Sequence, residues 1–357
     1  MIRVLIVDDS PLVRKIASDV LAADPGIQVV ATASNAEIAL RKVQQLSPDV
    51  VTMDIEMPGM GGLAAIREIM SRWPTPVIVM SAFATRGAEL TMQALELGAV
   101  DFIPKPSSSL SGGISDISRE LVEKVKNAYT VTVRRLETIE EQKSESERKA
   151  GQVRRFDVSS VLDYEIVAMG TSTGGPVALK TVLSRLPRDF PVGVVVVQHM
   201  PPVFTKAFAQ RLDSLCAIDV AEATDGDLIR PGLALVAPGD YHMTVTRYNT
   251  RPKVLLHRWN PVSGHRPSVD VLMHSVAREY GPRAVGVIMT GMGKDGAEGL
   301  AELKKRGGRV IAQDRASSVI YGMNGEVVRS GTAHEVVSLI DIADRLMDHL
   351  QISRQVS

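Results

Sequence analysis

Short apolar runs recur along this chain, each stopping at a polar residue and each separated from the next by about one helix's worth of sequence. Ile2–Val7, apolar but for Arg3, stops at Asp8-Asp9. Val50–Met53 stops at Asp54, Val77–Met80 at Ser81, and Val100–Ile103 leads to Lys105. With Gln28–Ala33 these make five strand-like segments. Runs without apolar–polar alternation are the pattern of strands buried on both faces. Helical spacing fills the gaps at Pro11–Ala23, Ala36–Leu46, Gly62–Met70 and Ala88–Leu97. Strands alternating with helices predict a parallel, doubly wound α/β sheet, so residues 1–125 read as a flavodoxin-like domain.

In that topology the first and third strands are neighbours, and ligands sit beyond their carboxyl ends. Asp8, Asp9 and Asp54 are therefore expected to converge. Three gathered carboxylates repel one another unless a cation neutralises them, and an oxygen-only donor set favours a hard ion such as Mg²⁺. Ser81 contributes a hydroxyl and Lys105 a mobile positive charge at the same edge. Singly, each residue has a bland reading: a cap for the helix near Pro11, a solvated loop acid, a surface lysine. Their joint placement at strand ends argues against coincidence.

The second half repeats the logic without repeating the sequence. Ile166–Met169, Gly193–Gln198, Leu233–Val236, Ala284–Met289 and Arg309–Ala312 read as strands of another doubly wound α/β layer, Rossmann-like. Tyr241–Val245 and Val254–His257, flanking Asn249–Pro252, read as a hairpin insert. The domain is expected over 161–352. Between the halves, residues 126–160 carry the mixed-charge run Glu140–Lys149, which has no apolar anchor and predicts a flexible connector.

Gly170-Thr171-Ser172-Thr173-Gly174-Gly175-Pro176 follows the first of these strands and opens a helical pattern, so Ser172 lies on a tight turn. A serine hydroxyl needs an adjacent base. Of the 7 histidines, His199 ends a full buried strand, which places it in the same carboxyl-end crevice; His265 falls in a polar loop and His242 and His257 in the hairpin. Asp295, in the Gly-rich turn Thr290–Gly296, is the candidate orienting acid, with a helix N-cap as its competing role. Asp225, Asp227 and Asp240 follow weaker strands. Nucleophile, base and orienter then run Ser-His-Asp, whereas α/β-hydrolases place the acid before the histidine.

Formal net charge is zero over 357 residues, which gives no basis for binding nucleic acid. A single cysteine, Cys216, excludes an internal disulfide and fits a reducing compartment. No apolar run approaches the roughly 18 residues of a membrane span. The expectation is a cytoplasmic monomer with no membrane insertion.

Two resemblances follow from the motifs. Residues 2–125 resemble a response-regulator receiver domain, on Val7–Ser10, Met53–Gly59, Ser81-Ala82 and Lys105-Pro106. Residues 161–352 resemble the catalytic domain of chemotaxis protein-glutamate methylesterases of the CheB type. That resemblance rests on Gly170–Pro176, Gln198–Pro201, Ala237–Asp240, Gly264–Asp270 and Thr290–Ala297. The first implies phosphoryl transfer from a histidine kinase to Asp54. It also implies Mg²⁺ held by Asp8 or Asp9, Asp54 and the backbone carbonyl of Glu56, with Ser81 and Phe102 rearranging on phosphorylation. Gly61 departs from the acidic residue common at that place in receivers, which is not a metal ligand. The second implies Ser172, His199 and Asp295 as catalytic groups, Thr173 and Met292 as oxyanion donors, and no cofactor in the esterase site. Its expected substrates are glutamate methyl esters and glutamines on the cytoplasmic helices of methyl-accepting chemoreceptors. A receiver joined to an inactive receptor-docking module is the alternative.

Overall fold

A computed structural model describes residues 1–105, 114–131, 164–248 and 251–350. The chain divides into two compact units, Met1–Glu145 and Ser146–Ser357. Most of the expected linker, from residue 132, lies outside the described residues.

The first unit is a five-stranded parallel sheet in the order β2-β1-β3-β4-β5. The strands are β1 (Ile2–Val7), β2 (Ile27–Ala33), β3 (Val50–Asp54), β4 (Val77–Ser81) and β5 (Asp101–Pro104). The helices are α1 (Pro11–Ala22), α2 (Ala36–Leu46), α3 (Gly62–Arg72), α4 (Thr85–Glu96) and α5 (Ile114–Tyr129). Every residue of β3 and β4 is buried, as uninterrupted apolar runs require. Ser10, not Asp8 or Asp9, caps α1: its Oγ accepts the Val13 amide. The carboxylates are thus not consumed in capping. Helix α5 continues past residue 125 to Tyr129, carrying the unit into the stretch expected to be linker.

The second unit holds a seven-stranded sheet whose described pairings are all parallel, beside a two-stranded antiparallel hairpin. Its strands are β6 (Ile166–Thr171), β7 (Gly193–Gln198), β8 (Asp219–Glu222), β9 (Leu233–Val236), β12 (Ala284–Ile288), β13 (Arg309–Gln313) and β14 (Glu335–Val337). β10 (His242–Tyr248) and β11 (Arg251–His257) form the hairpin. The sheet order is β14-β13-β12-β6-β7-β9-β8. From β6 the chain steps to β7 on one side and later returns to place β12 on the other. The switch point therefore lies past the ends of β6 and β12. The pattern is Rossmann-like with one change: β9 lies between β7 and β8. β8 and β14 are short edge strands with exposed positions, which apolar runs do not reveal.

Helices α6 (Gly175–Leu183), α7 (Phe204–Asp213), α8 (Val269–Tyr280), α9 (Ala297–Lys305), α10 (Met323–Arg329) and α11 (Ile342–His349) complete this unit. Ile166 and Ala168 of β6 and Val195 and Val197 of β7 pack into one core with Val269, Leu272, Met273 and Val276 of α8. Met243, Val245 and Val254 of the hairpin join that core. Burial of this kind contributes about 25 cal/mol per Å² of apolar surface. It seats the amino end of α8 beside the switch point. Among the described residues no helix is long and apolar enough to cross a membrane.

Candidate active site

Ser172 follows β6 directly, and His199 follows β7. The strands are in register, Thr171 opposite Gln198, and the His199 amide donates to the Thr171 carbonyl at 3.2 Å. Gln198 ties the two strand ends together. Its Oε1 accepts the Thr171 hydroxyl at 2.6 Å, and its Nε2 donates to the carbonyls of Ser172 and His199, each at 3.0 Å. A β-carbon on Gly175 would stand 2.0 Å from that Oε1, so only glycine lets α6 begin this close. On the other side, the Ser172 amide donates to the Thr290 carbonyl at 3.1 Å. A β-carbon on Gly291 would meet Cβ of Ser172 at 2.9 Å.

His199 and Asp295 meet directly: Nε2 donates to Asp295 Oδ2 at 2.8 Å. Asp295 is 1% exposed and does not cap the helix that follows it. Its carboxylate lies instead at the amino end of α8. Oδ2 accepts the Val269 amide at 2.7 Å, and Oδ1 accepts the Asp270 amide at 3.0 Å and the Ser268 hydroxyl at 2.8 Å. Amides and the helix dipole both favour negative charge there. Burial opposes ionisation of Asp295, but His199 and the two amides outweigh it and hold the carboxyl well below the usual range. Asp225, Asp227 and Asp240, the other turn acids, are engaged elsewhere: with the Leu256 amide, the Thr224 amide and Arg266.

With Nε2 committed to Asp295, the ring nitrogen left on His199 is Nδ1, which is buried and has no hydrogen-bond partner among the described residues. The ring of His265 lies flat on that of His199, centroids 3.8 Å apart and planes 15° off parallel. Behind Ser268 stands His242, fully buried and neutral: Nδ1 accepts the Ser268 amide at 3.2 Å and Nε2 donates to the Asn260 carbonyl at 3.1 Å. Burial pushes its pKa down. Thr173 is buried, with its carbonyl accepting the Thr290 hydroxyl at 2.9 Å. Met292 sits half-buried in the loop after β12, next to Gly291, whose carbonyl accepts the amides of Gly322 and Met323.

In the first unit Asp8, Asp9 and Asp54 present carboxylate oxygens within 4.8 Å of one another. Lys105 Nζ lies 2.8 Å from Asp8 Oδ2 and 2.7 Å from Asp54 Oδ2. Burial pushes the Asp54 carboxyl up, and Lys105 offsets this only in part. Burial also disfavours the Lys105 charge, but Asp54 and Asp8 outweigh it and raise that pKa. The Glu56 amide donates to Asp54 Oδ1 at 3.1 Å, which closes the turn after β3. Ser81 is buried and donates to the Gly87 carbonyl at 3.0 Å. Phe102 is buried on β5 under Lys124, whose Nζ lies 5.3 Å from the ring centroid. An all-oxygen cluster with a nearby lysine fits a hard divalent cation.

Comparison with known proteins gives each of the two units a family match. A CheB methylesterase family model covers residues 167–346, and a response regulator receiver domain model covers 4–111. A protein-glutamate methylesterase/protein-glutamine glutaminase of Symbiobacterium thermophilum is 49% identical over 97% of this chain and 96% of its own. One from Pyrococcus horikoshii is 44% identical over 99% and 95%. The chain belongs to the CheB methylesterase family. The crystal structure of the Thermotoga maritima CheB methylesterase catalytic domain aligns with a TM-score of 0.51 at 40% identity, covering 52% of this chain and 98% of that one.

As a CheB methylesterase the chain holds several site groups that residue order alone does not single out. His265 reads as a loop residue in sequence; in the fold that loop closes over His199. Gln198, Ser268 and the α8 amides hold the turn of Ser172, His199 and Asp295 in place without themselves suggesting chemistry. Ser268, at the start of the helical pattern from Val269, is the one available signal for a helix amino end near the site.

Proposed function

We propose that the chain hydrolyses glutamate methyl esters on the cytoplasmic helices of methyl-accepting chemoreceptors and deamidates glutamines there. In this reading Ser172, His199 and Asp295 act as a triad, under control of phosphorylation at Asp54. The observation that supports the triad is the His199–Asp295 pair at the switch point, on strand ends tied to the Ser172 turn through Gln198, with Nδ1 of His199 unpaired among the described residues.

Ser172 Oγ attacks the ester carbonyl while Nδ1 of His199 takes its proton. Asp295, anionic on the α8 amides, stabilises the imidazolium and holds the tautomer. The amides of Thr173 and Met292 are the proposed donors to the oxyanion; such a donor contributes roughly 3–4 kcal/mol in other hydrolases. Collapse breaks the C–O bond, the imidazolium returns its proton, and methanol leaves. Water then attacks the acyl-enzyme with its proton passing to Nδ1, releasing glutamate and restoring Ser172. With glutamine the leaving group is ammonia.

In the receiver, a carboxylate oxygen of Asp54 takes the phosphoryl group from a phosphohistidine of a kinase, forming an O–P bond as the N–P bond breaks. Asp8, Asp9, Asp54 and the Glu56 carbonyl would hold Mg²⁺, which neutralises phosphoryl charge when bound. Lys105 pairs with the added charge, and Ser81 and Phe102 carry the rearrangement. The test is methanol release from methylated chemoreceptor membranes with and without a small phosphodonor. No release under either condition would favour the inactive docking module.

A further inference from the structure

A ring tethered at one nitrogen is not fixed. Among the described residues the ring of His199 has one hydrogen bond, at Nε2; the imidazole can still turn about its Cβ–Cγ bond, and that turn carries Nδ1 further than Nε2, away from a position that could serve Ser172. A flat group on the ring face removes this freedom. His265 supplies one at 3.8 Å.

The loop that presents it is built for the purpose. Val262 and His265 exchange both backbone hydrogen bonds, at 3.0 and 2.9 Å, around Ser263 and Gly264, whose φ values of 53° and 80° make a primed two-residue turn. Ser263 accepts a left-handed conformation that a non-glycine residue adopts only under strain. Arg266 bolts the base of the turn: its Nε donates to Asp240 Oδ1 at 3.0 Å and Nη1 to the Trp259 carbonyl at 3.0 Å. The Arg266 carbonyl accepts the Asp240 amide at 3.1 Å. Two residues on, Ser268 reaches Asp295. One segment therefore grips both partners of the pair, the acid through Ser268 and the base through His265.

We infer that His265 is a positioning residue: its ring holds the plane of His199 so that Nδ1, not Nε2, serves as the base. This rests on the reading of His199 as base. The contact needed is a flat face, so the role belongs to the ring and not to its protons.

The full chain is compared as His265→Leu, which fills volume without a flat face, and His265→Phe, which keeps one. Both are assayed for methanol release from methylated receptor membranes, with His199→Ala alongside. His265→Leu should lose about ten- to a hundredfold in kcat, the scale of a misplaced group, with KM little changed. His265→Phe should recover to within a few-fold of the parent. Histidine labelled with ¹⁵N should show the Nε2–H tautomer of His199 in parent and Phe variant, and averaging or inversion in the Leu variant. If Leu and Phe behave alike, both near the parent or both equally slow, the ring face is not what matters and the inference is wrong. If His199→Ala still hydrolyses, the underlying assignment of the base has failed instead.

Discussion

Both sheets gather their candidate site residues at the carboxyl edge, yet the two edges are assembled differently. In the receiver unit Asp8, Asp54, Ser81 and Lys105 come off adjacent strand ends, with Asp9 one residue further. In the catalytic unit Ser172 and His199 are strand-end residues too. Asp295, however, lies in a turn seven residues past β12, and its anchors at Ser268, Val269 and Asp270 come from outside the sheet. A cluster that gathers charge around an ion tolerates ångström-scale freedom, and neighbouring strands place it well enough. The proton relay proposed for the other edge needs orientation as well as proximity, and there α8 and the turn after β12 supply what the sheet does not.

The sharpest way to separate the two edges is Ser172→Ala. Turnover should fall about 10⁶-fold while phosphate uptake at Asp54 is unchanged. Near-normal methanol release from the purified variant would show that Ser172 is not the nucleophile. Asp295→Asn tests the part built from outside the sheet. It should cost about 10⁴-fold in kcat through loss of the tautomer, with the melting temperature measured alongside to exclude unfolding.

Asp54→Asn probes the other edge. Methanol release should stay at the unphosphorylated rate and ignore phosphodonor, erasing an activation expected within about 5–150-fold. Retained activation would place the phosphoryl group on another residue. The smallest effect concerns stability. Burial, then the charge of Asp295, push Asp270 up to about 6. An acid whose folded pKa lies above its unfolded value near 4 binds its proton more tightly in the fold. Its contribution favours the native state at low pH and is lost as pH rises through about 6. Asp270→Asn, with its side-chain oxygen still able to accept the Gly299 amide, should therefore be more stable than the parent at pH 8 by at most about 3 kcal/mol, and no more stable at pH 4. Equal melting shifts at both pH values would show that ionisation of Asp270 is not the cause.

What can be read from residue order divides along the same line. The two sheets, the hairpin and the strand ends bearing Asp8, Asp54, Ser172 and His199 are visible because uninterrupted apolar runs announce buried strands and the following residue inherits a position. Asp295 is visible as a turn residue, but its obvious partner is the helix it precedes. It serves a helix that begins 26 residues earlier in the chain, with Val269. His265 stands within the Gly264–Asp270 motif, but its place against His199 is not legible, because nothing local distinguishes a loop that closes over a site from one that faces water. β8 and β14 escape because exposed edge strands lack the apolar run.

The place of β12 in the sheet also bears on how the polypeptide is made. β6 emerges from the ribosome well before β12, its permanent neighbour, and β7 covers only one of its edges meanwhile. The other edge, a row of unpaired backbone N–H and C=O groups, is an open template for any passing strand until residue 288 has been synthesised. Such distant pairing is slow. The receiver, complete by then, can fold unaided on the nascent chain, whereas the hydrolase half spends that interval exposed to misassociation. Expression of this protein should accordingly depend on chaperone capacity mainly through its second half.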